Sequence, residues 1–187
     1  CPPRSRCEVD NDCDAGRCLG NICQLATCGD GVRNGSEGDI DCGGQTPALS
    51  LGLGEAHVCV VFADGTAQCI GRNDAGQLGL GDTRPRGELP GDLGEELSLA
   101  GPGLNRRLRE IDAGWQHTCA VDVNGQVICW GNGRSGQLGI SLRGALGDVP
   151  EEVGDALAAL DFGTPDSVIR IAAGGAHTCA LFRSRKV

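Results

Sequence analysis

The 187-residue chain contains no methionine, no tyrosine, three phenylalanines and two tryptophans. So few rings argue against a large ligand pocket, because such sites take their walls from hydrophobic and aromatic side chains. Lysine is almost missing too. Lys186 is the sole one, and 16 Lys and Arg face 25 Asp and Glu, a formal net charge of −9. Polyanion binding requires clustered positive charge to neutralise phosphates, so nucleic acid is not expected as a partner. The densest basic group, Arg106, Arg107 and Arg109, reads as solvated surface rather than a binding patch. No apolar run approaches the roughly 20 residues of a membrane span. The phosphate-binding GxxxxGK pattern is excluded because lysine is absent until Lys186, which follows Arg185 rather than glycine, and neither HExxH nor GxSxG occurs.

What the chain does have is glycine (32), cysteine (12) and repetition. AGWQHTCAVDVNGQVICWGNGRSGQLG, Ala113 to Gly139, is matched upstream by LGEAHVCVVFADGTAQCIGRNDAGQLG, Leu53 to Gly79. A third copy begins at Ala173 as AGGAHTCAL. His57, His117 and His177 mark a sixty-residue period, and Cys59, Cys119 and Cys179 keep step with them. A period of this kind indicates a propeller blade or a solenoid unit.

Each copy reads as a β-hairpin. Asp64-Gly65 and Asn124-Gly125 supply the positive-φ residue that a tight turn needs. With a three-residue loop (63–65 or 123–125), Cys59 faces Cys69 and Cys119 faces Cys129. Opposed cysteines on neighbouring strands lie within bridging distance, which predicts disulfides Cys59–Cys69 and Cys119–Cys129. The same register puts Cys119, Val121, Val127 and Cys129 on one face and Ala120, Ile128 and Trp130 on the other. The first copy has Val61 and Ala67 against Val58, Val60 and Ile70. A sheet lying on a surface alternates apolar with polar; here both faces call for burial, as in blades stacked around an axis.

The combined pattern Ala-Gly-x-x-His-Thr-Cys-Ala, Asn-Gly-x-Val-x-Cys-Trp-Gly and Gly-Gln-Leu-Gly resembles the repeat of the regulator of chromosome condensation family. The form with two cysteines per blade is similar to versions in secreted bacterial proteins. The resemblance implies a β-propeller, seven-bladed in that family, over residues 47–187. The expected fold class is therefore all-β, a partial propeller of two full blades and the start of a third. Their approximate spans are 48–107, 108–167 and 168–187. Gly131-Asn-Gly133-Arg-Ser-Gly136 matches the dinucleotide pattern GxGxxG, but that motif requires a helix opening at the turn. Gly139 and Gly144 follow too closely for one, and the first copy has Asn73 at the equivalent position, so a turn between strands is expected.

Residues 1–46 read as a separate disulfide-rich, loop-rich module. Seven cysteines fall here (Cys1, Cys7, Cys13, Cys18, Cys23, Cys28 and Cys42) with almost no aliphatic residues, so cross-links rather than burial would hold it. CEVDNDCDAGRCLGNIC and CGDGVRNGSEGDIDCGG are similar to cysteine-rich repeats of large secreted bacterial proteins. Cys28–Cys42 is the preferred bridge; connectivity among Cys7, Cys13, Cys18 and Cys23 stays open, as does that of Cys1 and the partner of Cys179. Asp30, Asn34, Glu37, Asp39 and Asp41 place five oxygen donors within twelve residues, which suits calcium. The match to an EF-hand loop is poor, since Val32 stands at the third position and Asp41 replaces the terminal Glu; a solvated acidic loop is the alternative.

Twelve cysteines at hairpin spacing imply an oxidising compartment, hence an extracellular or cell-surface protein. Cys1 also admits a lipid anchor. Between blades lie two long excursions, Gly81–Arg107 and Ser141–Ser167, in which Pro90, Gly94 and Leu97 match Pro150, Gly154 and Leu157. Pro150–Leu160 has room for one or two helical turns, which Gly154 weakens. Leu78 and Leu138 are expected to pack inward. The histidines recur by blade rotation, so each is expected to bond local backbone rather than join a metal or catalytic cluster, and bridged cysteines have no thiolate. The functional expectation is a non-enzymatic interaction module that grips a protein partner through its excursions. Glu88, Asp92, Glu95, Glu96, Glu151, Glu152 and Asp155 make those acidic, favouring a basic partner surface. Three rivals stand beside it. The resemblance allows a guanine-nucleotide exchange factor on chromatin, or a secreted inhibitor, since a bacterial propeller of this type inhibits β-lactamases. The chain would otherwise be the non-catalytic part of a larger extracellular enzyme.

Overall fold

A computed structural model of the chain describes residues 16–19, 22–25, 46–89, 92, 97–103, 106–141 and 144–187. The predicted calcium ligands Asp30, Asn34, Glu37, Asp39 and Asp41, the Cys28–Cys42 bridge, Cys1, and Glu95 and Glu96 lie outside the described residues. In the first part of the chain, strands β1 (Gly16–Leu19) and β2 (Ile22–Leu25) pair antiparallel with Cys18 opposite Cys23.

The repeats form a compact unit over Thr46–Asp92 and Ser98–Val187. Blade 1 is an antiparallel sheet of β3 (Ala48–Leu53), β4 (His57–Phe62) and β5 (Ala67–Gly71). Gly71 and Arg86 exchange backbone hydrogen bonds where a fourth strand would lie. Blade 2 has all four strands: β6 (Leu108–Ala113), β7 (His117–Asp122), β8 (Val127–Asn132) and β9 (Ala145–Leu146). Blade 3 is the pair β10 (Val168–Ala173) and β11 (Thr178–Phe182). The bridge Gly71↔Arg86 and the pair Gly131↔Leu146 sit sixty residues apart, so the blades repeat down to their outer edges.

Turn chemistry sets the hairpin register. Gly65 and Gly125 take φ of +87° and +81°, the left-handed conformation that closes a three-residue loop. Asp64 accepts hydrogen bonds from the Thr66 N–H and hydroxyl, and Asp122 accepts from the N–H groups of Asn124 and Gln126, all through one carboxylate oxygen at 2.7–2.9 Å. Cys59 then faces Cys69 and Cys119 faces Cys129, and both pairs are bonded, with Cα atoms 4.1 Å apart. Gly131, near the end of β8, and Gly136, in the turn after it, both take positive φ, and among the described residues no helix opens at that turn. The second excursion holds two single 3-10 turns, Pro150–Glu152 and Gly154–Ala156, separated by the extended Val153, and Gly154 opens the second at φ +65°.

Packing is face to face. The cysteine-bearing face of blade 1 (Cys59, Val61, Ala67, Cys69) meets Ile111, Ala120, Ile128 and Trp130 of blade 2, together with Leu78 and Leu157. The cysteine-bearing face of blade 2 (Cys119, Val121, Val127, Cys129) meets Val168, Ile171, Ala180 and Phe182 of blade 3, with Leu138. Every residue of β7 is consequently buried, which is how a sheet lying between two others loses its polar face. On blade 1 the leading face departs from the expectation of burial on both sides. Val58, Val60 and Ile70 are only half-buried, because no blade packs in front of them among the described residues. Of the three arginines, Arg107 is exposed and Arg106 and Arg109 are half-buried. Arg107 donates to the Asp64 carbonyl across the first junction, and Arg109 donates to the Val168 and Ile169 carbonyls across the second.

Candidate functional site

Two features stand out: a polar latch at each blade junction, and the excursions that edge the blades. At the first junction the Nε2 of His57 lies 2.9 Å from the Thr118 hydroxyl. That hydroxyl donates to the Gln77 carbonyl at 2.8 Å, and the same carbonyl accepts the Trp130 indole N–H at 3.0 Å. At the second junction His117 Nε2 lies 2.9 Å from Thr178, which donates to the Gln137 carbonyl at 3.0 Å. Because each threonine proton goes to a carbonyl, the histidine must donate from Nε2, leaving Nδ1 bare. Both Nδ1 atoms are buried without a partner. A second proton would have no acceptor there, and burial pushes both imidazoles down to about 4 from the ordinary 6.5.

Glycine makes room for each ring. A Cβ on Gly54 would come within 2.3 Å of the His57 ring, and one on Gly114 within 2.2 Å of the His117 ring and 2.4 Å of the Gly174 carbonyl. The expectation that these histidines bond local backbone is therefore corrected: they reach across to the next blade. Thr118 and Thr178 recur directly after the histidine while Val58 does not, and that was the available signal. The rings stay one per junction, and among the described residues no three His, Cys, Asp or Glu side chains gather to hold a metal.

In the excursions, Glu88, Glu151 and Asp155 are exposed. Asp92 is not a displayed acid. It is 6% exposed, accepts the N–H groups of Gly87, Glu88 and Leu89 with one oxygen, and pairs with Arg84 at 3.4 Å. Glu152 likewise turns in to accept the Gly147 N–H. A groove of about 700 Å³ runs along Glu55, His57, Val58, Ile70, Arg72 and Glu88. A second, of about 530 Å³, lies between the Asn124-Gly125 turn and Phe162, Pro165 and Asp166. No helix of the described residues is long and apolar enough to cross a membrane.

Antiparallel sheets repeating every sixty residues, stacked face on face and joined by loops from the outer edge of one to the inner strand of the next, are the blades of a β-propeller. The model of the regulator of chromosome condensation (RCC1) repeat matches residues 64–121 and 124–181, and a second RCC1 repeat model matches 109–137. With more than half of its length matched, the chain belongs to the RCC1 repeat family.

The ultraviolet-B receptor UVR8 of Arabidopsis thaliana is 38% identical over 93 residues, covering 50% of this chain and 19% of the receptor. The regulator of chromosome condensation of Xenopus laevis is 27% identical over 132 residues, 71% of this chain and 28% of that protein. The probable E3 ubiquitin-protein ligase HERC3 of Homo sapiens is 29% identical over 140 residues, 75% of this chain and 12% of the ligase. Among solved structures, human WBSCR16 superposes with a TM-score of 0.58 at 19% identity, over 81% of this chain and 33% of that one. Prp20p of Saccharomyces cerevisiae superposes with 0.51 at 23% identity, over 73% and 31%. These likenesses show the fold, and the chain spans a third or less of each.

Proposed function

We propose that these blades are a non-catalytic protein-interaction module of an extracellular or cell-surface protein, with the stacked sheets as rigid support and the excursions as the gripping surface. The observation that carries it is the pair of fully buried disulfides, one per complete blade. Cytosolic thiols are mostly kept reduced, so a repeat that builds a cystine into the β4–β5 and β7–β8 hairpins is suited to an oxidising compartment. Protein binding is supported by the family. The Prp20p structure was described together with that protein's binding to Gsp1p and histones, and yeast RCC1 has been solved with Kap60 bound. Exposed Glu88, Glu151 and Asp155 favour a partner with a basic surface.

A second reading has its own support. Matched relatives include a ubiquitin ligase and the kinase Nek9 of Xenopus laevis, of which this chain covers 12% and 9%. Repeats of this family therefore occur within longer enzymes, where they would recruit rather than catalyse. Surface proximity labelling of the source cells, followed by titration of the captured partner, tests the proposal. Glu88→Lys/Glu151→Lys/Asp155→Lys should weaken binding roughly tenfold or more at 50 mM salt and much less at 500 mM, because steering between exposed charges is screened. Labelling confined to nuclear or cytosolic proteins, with Cys59 and Cys69 recovered as thiols, would refute the compartment and the role.

A further inference from the structure

Latch and cystine share a face and a hydroxyl. His57 and Cys59 stand two residues apart on β4, so both side chains point toward blade 2, and His117 and Cys119 repeat this on β7 toward blade 3. The Thr118 hydroxyl that meets His57 lies 4.0 Å from the Cys59 sulfur. The Thr178 hydroxyl that meets His117 lies 3.7 Å from the Cys119 sulfur. Cys59, Cys69 and Cys119 are 0% exposed and Cys129 is 3% exposed. What covers each bridge is the next blade: Ile111, Ala120, Ile128 and Trp130 over Cys59–Cys69, and Val168, Ile171, Ala180 and Phe182 over Cys119–Cys129. A reductant has to reach a sulfur to attack it, so neither bridge is open to one while its junction is shut.

The same contacts decide when the junction opens. Nδ1 of each ring is packed against glycine: a Cβ on Gly54 would lie 2.4 Å from Nδ1 of His57, and one on Gly114 2.6 Å from Nδ1 of His117. A proton added there meets no acceptor, and a buried charge without a partner is costly. No carboxylate relieves His57. The titratable group whose charge bears on it is His117, and Gly52 stands where the second junction has Asp112. His117 is faced by Asp112, which favours the charged ring, and by His177, which opposes it; Asp112 accepts the Ala113 and Ala173 N–H groups. The turns completing the junctions bring the uncharged Gln77 and Gln137, and Asp74 beside Gln77 is held by Arg72 and that glutamine. Either ring is charged at least cost by swinging into water, which parts the blades. We infer that each junction is an acid-opened gate over its own cystine, His57 guarding Cys59–Cys69 and His117 guarding Cys119–Cys129. The gates are shut at neutral pH, and each admits a small reductant to its bridge as acidity rises. This is a property of the junctions, independent of the partner gripped by the excursions.

Reduction of the oxidised full chain by tris(2-carboxyethyl)phosphine tests the gates. The phosphorus lone pair attacks one sulfur, the S–S bond breaks, and the released thiolate takes a proton. Water then frees the second thiol as the phosphine becomes its oxide. Alkylation and peptide mass spectrometry give a rate for each bridge. Dividing by the rate for oxidised glutathione at the same pH removes the reagent's own pH dependence. Both normalised rates should rise at least tenfold between pH 6.5 and 4.5, because a local opening that binds one extra proton gains up to about tenfold per pH unit. His57→Gln should flatten the profile of Cys59–Cys69 and leave that of Cys119–Cys129 steep. His117→Gln should do the reverse, so that if one variant fails to fold the other still decides. A flat wild-type profile, or a substitution that alters both bridges alike or neither, would overturn the gates.

Discussion

Acid should loosen the blade junctions before it reaches Asp64 and Asp166. His57 and His117 are 2% and 0% exposed and bind their second proton only near pH 4 in the fold, whereas an unfolded chain binds it near 6.5. Between those values the unfolded state holds more protons, so stability falls as pH falls. Each histidine contributes a slope of about 1.4 kcal/mol per pH unit, and the pair about 2.7. Across the window the loss is about 3–4 kcal/mol per ring, or about 7 for both, an appreciable share of the roughly 5–15 kcal/mol that holds a domain together. Above about pH 6.5 the contribution is complete, and below about 4 these two rings take away nothing more. Asp64, held low by hydrogen bonds from Thr66, and Asp166, held low by those from Ser184, lose theirs only below the ordinary 3.8, outside the histidine window. Urea midpoints at half-unit steps from pH 7.5 to 4.5, with disulfides intact, measure the slope. His117→Gln should roughly halve it. A midpoint flat over that range, or a slope unaltered in the variant, would refute the neutral buried rings.

Two further substitutions test the packing. Trp130→Ala removes a fully buried ring together with its bond to the Gln77 carbonyl and should cost about 3–5 kcal/mol, whereas Trp115→Ala, at a ring 61% exposed, should cost well under half of that by urea melts. Gly114→Ala should cost about 1–3 kcal/mol through overlap with His117 and the Gly174 carbonyl; Gly144→Ala, whose Cβ meets nothing within 4 Å, should stay within about 0.5 kcal/mol.

Much of this architecture is readable from residue spacing. Cys59 and Cys69 flank Asp64 symmetrically, as Cys119 and Cys129 flank Asn124, and a three-residue turn then leaves only one register. The two-faced apolar pattern of β7 and β8 likewise states that something covers both sides, and blades 1 and 3 do. The latch was harder to read. His57 and Thr118 belong to different copies, and spacing within one copy does not say that position 57 of one blade faces position 118 of the next. Arg109 and Asp92 are hard to read for a related reason. A charged side chain looks solvated in sequence until the fold brings backbone groups to it, as it does for Arg109 on β6 and for Asp92 in a loop. The acidic residues at 30–41 remain a sequence expectation.

The stacking of the first two blades rests on hairpins closed by their own cystines, Cys59–Cys69 and Cys119–Cys129. Mapping disulfides by mass spectrometry, on chain prepared through an oxidising route and digested under acid without reduction, addresses this directly. The expected fragments link Cys59 to Cys69 and Cys119 to Cys129. A Cys59–Cys119 link, or four free thiols, would contradict it.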